Sequence, residues 1–257
     1  MSMHMEELNR RGAVAVAAAL ATGGLVNLGG LLVPSASAAQ GTRSRKPGEG
    51  GKDEQGGDDE DVSATEDLMR EHGVLRRTLI VYAELSERLR SNTGRIDPGA
   101  LADAAKLFRE FGEDYHEHTL EEQHVFPEVR KGGGPNAKLV EVLLIQHQRG
   151  REITDYLYRI GSRGQIGGDA EPLARALASM TRMYQAHAAF EDTVVFPAWK
   201  KTQSKQRLGE LAEKFEDIEK KRFGKDGFDE AIERISKVEQ ALGLADLAVY
   251  TAPSLPR

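Results

Sequence analysis

From residue 62 onward, apolar side chains recur at the three- and four-residue spacing of an α-helix face, with almost no two-residue alternation. Ser63-Ala64-Thr65-Glu66 forms a capping box ahead of a face carrying Leu68, His72, Leu75, Leu79, Tyr82 and Leu89. Asp97-Pro98 supplies an N-cap and a proline at the first helical position, opening a second helix that runs toward Phe126. After the break at Gly132-Gly133-Gly134-Pro135-Asn136, a third helix carries Val140, Leu143, His147, Thr154 and Leu157 and ends near Gly161. A second break, Gly164 to Asp169, precedes a fourth helix starting around Glu171-Pro172. The connections are short, so the pattern predicts an all-α fold: an antiparallel up-down-up-down four-helix bundle over 62–200. Residues 201–257 are expected to form a C-terminal helical extension. Its first part, 200–222, is Lys/Glu-rich and is expected to be a solvated face. The stripe Phe228, Ile232, Ile235, Val238 and Leu242 then packs on the bundle or forms a dimer surface.

Two stretches repeat one another. Phe108, Phe111, Tyr115, His118 and Glu122 share one helix face, and Leu177, Met180, Tyr184, His187 and Glu191 stand at the same offsets. Both stretches close on Val-Phe-Pro, at Val125-Phe126-Pro127 and Val195-Phe196-Pro197. In an antiparallel bundle His72, His118, His147 and His187 lie at similar distances from one end, roughly 13 to 17 Å at about 1.5 Å per residue. A lone histidine on an apolar face is usually a satisfied core residue. Four in one layer with two inward carboxylates are costly to bury unless a metal pairs with them. Nitrogen and oxygen donors without sulfur suit iron or manganese, and zinc less well. Four imidazoles and two carboxylates exceed what one zinc takes. Two octahedral ions need about twelve positions, so bridging carboxylates and an oxide would leave about two for a small ligand. The expected cofactor is therefore a pair of non-haem iron ions bridged by oxide.

Composition changes the picture mainly at the N-terminus. Arg10-Arg11 precedes an uncharged Ala/Gly-rich run from Gly12 to about Val33, followed by small residues at Pro34-Ser35-Ala36-Ser37-Ala38-Ala39. Residues 1–39 are expected to be a twin-arginine export signal, sending the protein to the periplasm or exterior. The run is also long enough to serve as an uncleaved membrane anchor. Residues 40–61 hold no apolar side chain of any size and read as a disordered linker. With no cysteine in the chain, lipid attachment, disulfides and thiolate metal sites are excluded. The net charge of −6 is unclustered and argues against nucleic acid as a partner.

With His72, His118-x-x-x-Glu122, His147 and His187-x-x-x-Glu191 placed on four helices, residues 62–200 resemble the hemerythrin-like (HHE, cation-binding) domain. The likeness is strongest to a bacterial branch with a twin-arginine signal, whose tail resembles the stretch from Phe215-Glu216-Asp217 to Leu242-Gly243. The resemblance implies a non-haem di-iron centre that binds dioxygen or related small ligands. Oxygen-carrying hemerythrins have a second histidine one turn after the third-helix histidine, where Arg151 stands here. They also take a carboxylate five residues after the last histidine, the place of Asp192, although Glu191 shares the face of His187. The second helix admits two registers. The apolar face favours His118 and Glu122. Counting back from Phe-Pro matches Glu121 to Glu191 and, with the family's Tyr-His-Glu arrangement, favours His116; that register requires a π-bulge. His124 is expected to be solvated or to sit behind the ligands. Tyr82, Tyr115 and Tyr184 lie on ligand faces, as core packing or as hydrogen-bond donors near a bound ligand.

Three functions are compatible with these residues. The first is binding or scavenging of dioxygen, peroxide or nitric oxide. The second is a di-iron oxidase or peroxide-consuming enzyme, and the third is iron storage or delivery. No cofactor loop or nucleophile motif names a substrate.

Overall fold

The computed structural model describes residues 62–94, 96–224 and 226–256. The expected signal (1–39) and linker (40–61) lie outside the described residues. Among the described residues the fold is all-helical, with no strand and no helix long and apolar enough to cross a membrane.

Helix α1 spans Ala64–Ser91 and starts as its capping box predicts, with Ser63 Oγ accepting from the Glu66 amide at 3.3 Å. It ends on Asn92 in the left-handed region. Helix α2 (Pro98–Leu107) opens on Asp97, whose Oδ1 accepts from the amides of Gly99 and Ala100. The chain then continues without a break as a π-helix over Phe108–Val125 and returns to α-form in α3, Phe126–Lys131. Helix α4 spans Gly134–Gly161. Helix α5 (Ala170–Phe190) runs into a single π-turn, Glu191–Val195, and then α6, Phe196–Thr202. The C-terminal part is a pair of helices, α7 (Lys205–Phe223) and α8 (Gly227–Leu242).

Helix α1 packs along α5, and α2 along α4. Between α2 and α4 the backbones approach closely at Gly161, where a Cβ would stand 2.7 Å from both the Pro98 carbonyl oxygen and the Ala102 amide nitrogen. Only glycine fits there. Helix α8 lies against α1 and α2 and buries Ile235, Val238 and Leu242, the stripe that the sequence pattern assigns to packing. Arg77 reinforces this contact by donating to Glu239 (2.9 and 2.5 Å) and Ser236 (2.9 Å). Helix α7 is mostly exposed, as expected of a Lys/Glu-rich stretch, but it is anchored by buried Leu211 and Phe215, the latter stacked on Trp199.

Candidate metal centre

The second helix decides which side chains meet. A π-helix carries more residues per turn than an α-helix, so the face drifts and the register expected from Phe108, Phe111 and Tyr115 does not continue to His118. The register favoured from the apolar face is therefore corrected. His118 has 60% of its side chain exposed, touches Glu122 Oε2 at 3.1 Å and points away from the cluster. Glu122 is half-buried behind the cluster rather than in it. His116 and Glu121 take the inner places, at 1% and 0% exposure.

The structure thus gathers His72, His116, His147 and His187 with Glu121 and Glu191, all at most 3% exposed. The Nε2 atoms of His72 and His116 face each other at 3.0 Å, and those of His147 and His187 at 3.2 Å. Glu121 spans the two pairs, with Oε1 3.4 Å from His116 Nε2 and Oε2 3.4 Å from His147 Nε2. Glu191 spans them from the other side. Its Oε2 lies 3.0 Å from His187 Nε2 and 3.5 Å from His72 Nε2. The donors form two overlapping groups that could each hold a metal ion, one with His147, His187, Glu121 and Glu191, the other with His72, His116 and Glu121.

Behind the cluster every Nδ1 is held. His72 Nδ1 lies 2.7 Å from Asp192 Oδ1, and His116 Nδ1 lies 2.5 Å from Glu71 Oε2. His147 Nδ1 lies 2.9 Å from Glu122 Oε1, and His187 Nδ1 lies 2.9 Å from Gln146 Oε1. Carboxylate and amide oxygens only accept, so each Nδ1 carries the proton and each Nε2 turns a lone pair inward. The pattern repeats with the chain: Glu71 and Gln146 each precede one ligand-face histidine and hold another, and Glu122 and Asp192 each follow an inward glutamate. Phe126 stacks on the His147 ring and Phe196 on that of His72, which gives the two Val-Phe-Pro segments a common role.

The carboxylates of the centre favour positive charge beside them. Burial alone would lower the imidazole pKa values. The neighbouring carboxylates more than reverse this, raising His72 (Asp192, Glu191) and, more strongly, His116 (Glu121, Glu71) and His147 (Glu117, Glu121, Glu122). Burial likewise opposes ionisation of Glu191 and Glu121, yet the histidines hold both below the usual carboxylate range. All four oxygens of Glu121 and Glu191 are buried without a hydrogen-bond donor. An unmet buried polar group costs roughly 1–3 kcal/mol, more when charged. Cations held by the two donor groups would meet these carboxylates, so the donor set fits a metal.

One face of the centre meets a cavity of ≈ 10 Å³, bordered by Leu75, Leu79, Ala188, Glu117 and Tyr184 and rimmed by Arg76. The Tyr184 hydroxyl donates to Glu117 Oε1 at 2.7 Å. Tyr82 and Tyr115 are buried as core residues. Arg151 donates to Glu122 at 2.7 Å, outside the donor cluster. His124 is half-buried near the Phe215 ring. Glu71, Gln146, Glu113 and Glu117 were not legible as site residues. The only sequence signal is that Glu113, Glu117 and Glu121 recur every four residues on a largely apolar helix.

Residues 63–199 match the model of the hemerythrin HHE cation-binding domain. The chain belongs to that family. It is similar to uncharacterized proteins of Mycobacterium bovis and Mycobacterium tuberculosis, 39% identical over 208 residues that make up 80% of this chain and 80% of each relative. No solved structure matches it.

Proposed function

We propose that the chain is an exported non-haem di-iron protein that binds dioxygen or a related small ligand, peroxide or nitric oxide, within an antiparallel up-down-up-down four-helix bundle. One observation carries the proposal: two buried carboxylates with four unmet oxygens lie between two pairs of inward Nε2 atoms. His72 and His116 would hold one ion, His147 and His187 the other, and Glu121 and Glu191 would bridge them. The spacing at the His72–His116 pair is that of a six-coordinate ion. Adjacent ligands about 2.1 Å from an octahedral ion stand about 3.0 Å apart, against about 3.4 Å for a tetrahedral one. The His72–His116 Nε2 separation, 3.0 Å, matches the octahedral value, and the His147–His187 separation, 3.2 Å, lies midway between the two. The donor set, nitrogen and oxygen without sulfur and more than one zinc takes, supports iron, or manganese, over zinc.

Bound iron would supply electrons to a small ligand and coordinate it. The protein's own part is to choose that ligand. Leu75 and Leu79 make one side of the adjoining cavity apolar, and its volume is that of about one water. Glu117 is buried there and its Oε1 is already occupied by Tyr184, so the cavity favours a small neutral ligand over an anion. Short connections between the long helices support the antiparallel order. Arg10-Arg11, the uncharged run and the small residues before Gln40 support export of a chain that has already bound its metal.

The test is metal analysis with an optical spectrum on protein lacking residues 1–39. About two irons per chain with an iron–ligand charge-transfer band in the near-ultraviolet are expected. One zinc, or no metal after iron reconstitution, would refute the di-iron centre. Addition of oxygen, peroxide and nitric oxide then separates a stable adduct from turnover.

A further inference from the structure

We propose that small ligands reach the centre between α1 and α5, and that Arg76, latched to Asp192, is the gate across that opening. The inference rests on the small-ligand reading above and adds to it a residue that governs entry.

The donor residues of the centre are at most 3% exposed, and Phe126 and Phe196 stack on the rings of His147 and His72. A ligand therefore needs an opening. The cavity that touches His72, His116 and His187 provides one, bounded by α1, α5 and the π-helix. Every side chain lining it is at most 5% exposed except that of Arg76, which is 44% exposed. Arg76 is thus the lining residue through which the cavity meets solvent. Beside it stand Leu75, Leu79 and Ala188, an apolar wall that asks a neutral molecule to give up no strong hydration.

The local sequence sets the gate in place. Arg76 stands one turn after His72 on α1. Asp192 follows Glu191 in the π-turn, and both carboxylates reach back to α1. Glu191 Oε2 lies 3.5 Å from His72 Nε2, and Asp192 Oδ1 lies 2.7 Å from His72 Nδ1. Asp192 Oδ2 is left to accept from Arg76, so the guanidinium bridges from α1 to the end of α5. The two oxygens of Asp192 divide the work. Arg76 can swing into water while Oδ1 still holds His72, and the opening moves without disturbing the donor set. Among the described residues Asp192 is the one ion-pair partner of Arg76, and a pair with one member largely in water is weakly held. Closed, the latch keeps bulk water from the buried donors, and its paired charges give an anion little reason to gather at the mouth.

Two measurements on the full chain test the gate. The first is nitric oxide binding to the iron-loaded protein, with association followed by stopped flow and dissociation by trapping with a scavenger. A gate changes both rates by one factor and leaves affinity alone; a group that tunes the centre changes affinity. Arg76→Ala should quicken both rates about fivefold, the equivalent of about 1 kcal/mol, the upper value for an exposed pair. Ala188→Leu narrows the opening from α5 and should slow both. The second measurement needs no metal: exchange of imidazole C2 protons with deuterated water, read by mass spectrometry. His187 lines the cavity and His147 does not, and each is held at Nδ1 by a residue other than Asp192. Exchange at His187 relative to His147 should quicken in Arg76→Ala, which trims an exposed side chain and carries the test even if Ala188→Leu fails to fold. Unchanged rates in Arg76→Ala by both measurements, or a changed affinity with unchanged exchange, would overturn the gate and leave the centre standing. Absence of a nitric oxide adduct in every iron-loaded protein would overturn the small-ligand reading, and exchange at His187 would still decide the gate.

Discussion

Replacing His116 and His118 separately by alanine tests the π-helical register directly. His116 is buried, and its Nδ1 stands 2.5 Å from Glu71 Oε2, whose carboxylate is itself 1% exposed. His116→Ala leaves that carboxylate without its histidine. Removing one member of a buried pair costs about 3–5 kcal/mol. For a domain of this size each kcal/mol is worth about 2–4 °C, so the metal-free melting temperature should fall on the order of 10 °C. His118 has 60% of its side chain in water and one contact, to Glu122 at 3.1 Å. An exposed pair of that kind contributes about 0–1 kcal/mol, so His118→Ala should shift melting by at most a few degrees. Iron content should follow the same order, with His116→Ala losing at least one ion and His118→Ala keeping both. Calorimetry of the metal-free forms and metal analysis after reconstitution give the two readouts. Loss of iron from His118→Ala with retention in His116→Ala would refute the register and restore the α-helical face.

Gly161→Ala should lower stability by about 1–3 kcal/mol, because the new methyl group meets backbone atoms of α2 that cannot turn aside. Thermal melting checks this, and iron content should be unchanged since Gly161 lies far along α4 from His147. Glu122 provides a pH test. Burial opposes its ionisation, but His147, Arg151 and His118 hold it down to about 2, below its ordinary value of 4.5. Its folded pKa is the lower one, so its contribution is complete above about pH 4.5 and fades as pH falls toward 2. Denaturant titrations across that window should show a shallower acid loss in Glu122→Gln than in the unmodified chain; equal slopes would contradict the assignment.

Helix positions were legible because local chemistry and the fold agree. Ser63, Asp97 and Pro98 act where they stand, and the stripe of α8 packs as its spacing requires. The histidine layer was legible for the same reason at 72, 147 and 187. The fourth member was not. Phe108, Phe111 and Tyr115 are buried in either register, so the apolar pattern cannot distinguish His118 from His116. What decides is the extra residue per turn in the π-helix, and hydrophobic spacing measured at the α-helical period is blind to it. The count back from Phe-Pro did carry that information, since Glu121 and Glu191 hold the same place before their Val-Phe-Pro. The residues behind the histidines were hidden for another reason. Glu71 and Gln146 each hold a histidine of the following helix, a contact made only once the helices are packed.

Those four supports are alike in position but unlike in charge. Behind His72 stands Asp192, paired with Arg76, and behind His116 stands Glu71, with no cation of its own. Behind His147 stands Glu122, paired with Arg151, and behind His187 stands the neutral amide of Gln146. Among these four supports the two halves differ at the related positions 71 and 146, a carboxylate against an amide, while buried Glu117, 3.9 Å from His147 Nδ1, adds a carboxylate to the other half. A carboxylate behind an imidazole makes it the more electron-rich ligand. A carboxylate therefore stands against each half but in a different place, directly on an imidazole at Glu71 and farther off at Glu117, so exchanging the side chains of Glu71 and Gln146 should make His116 the less and His187 the more electron-rich ligand.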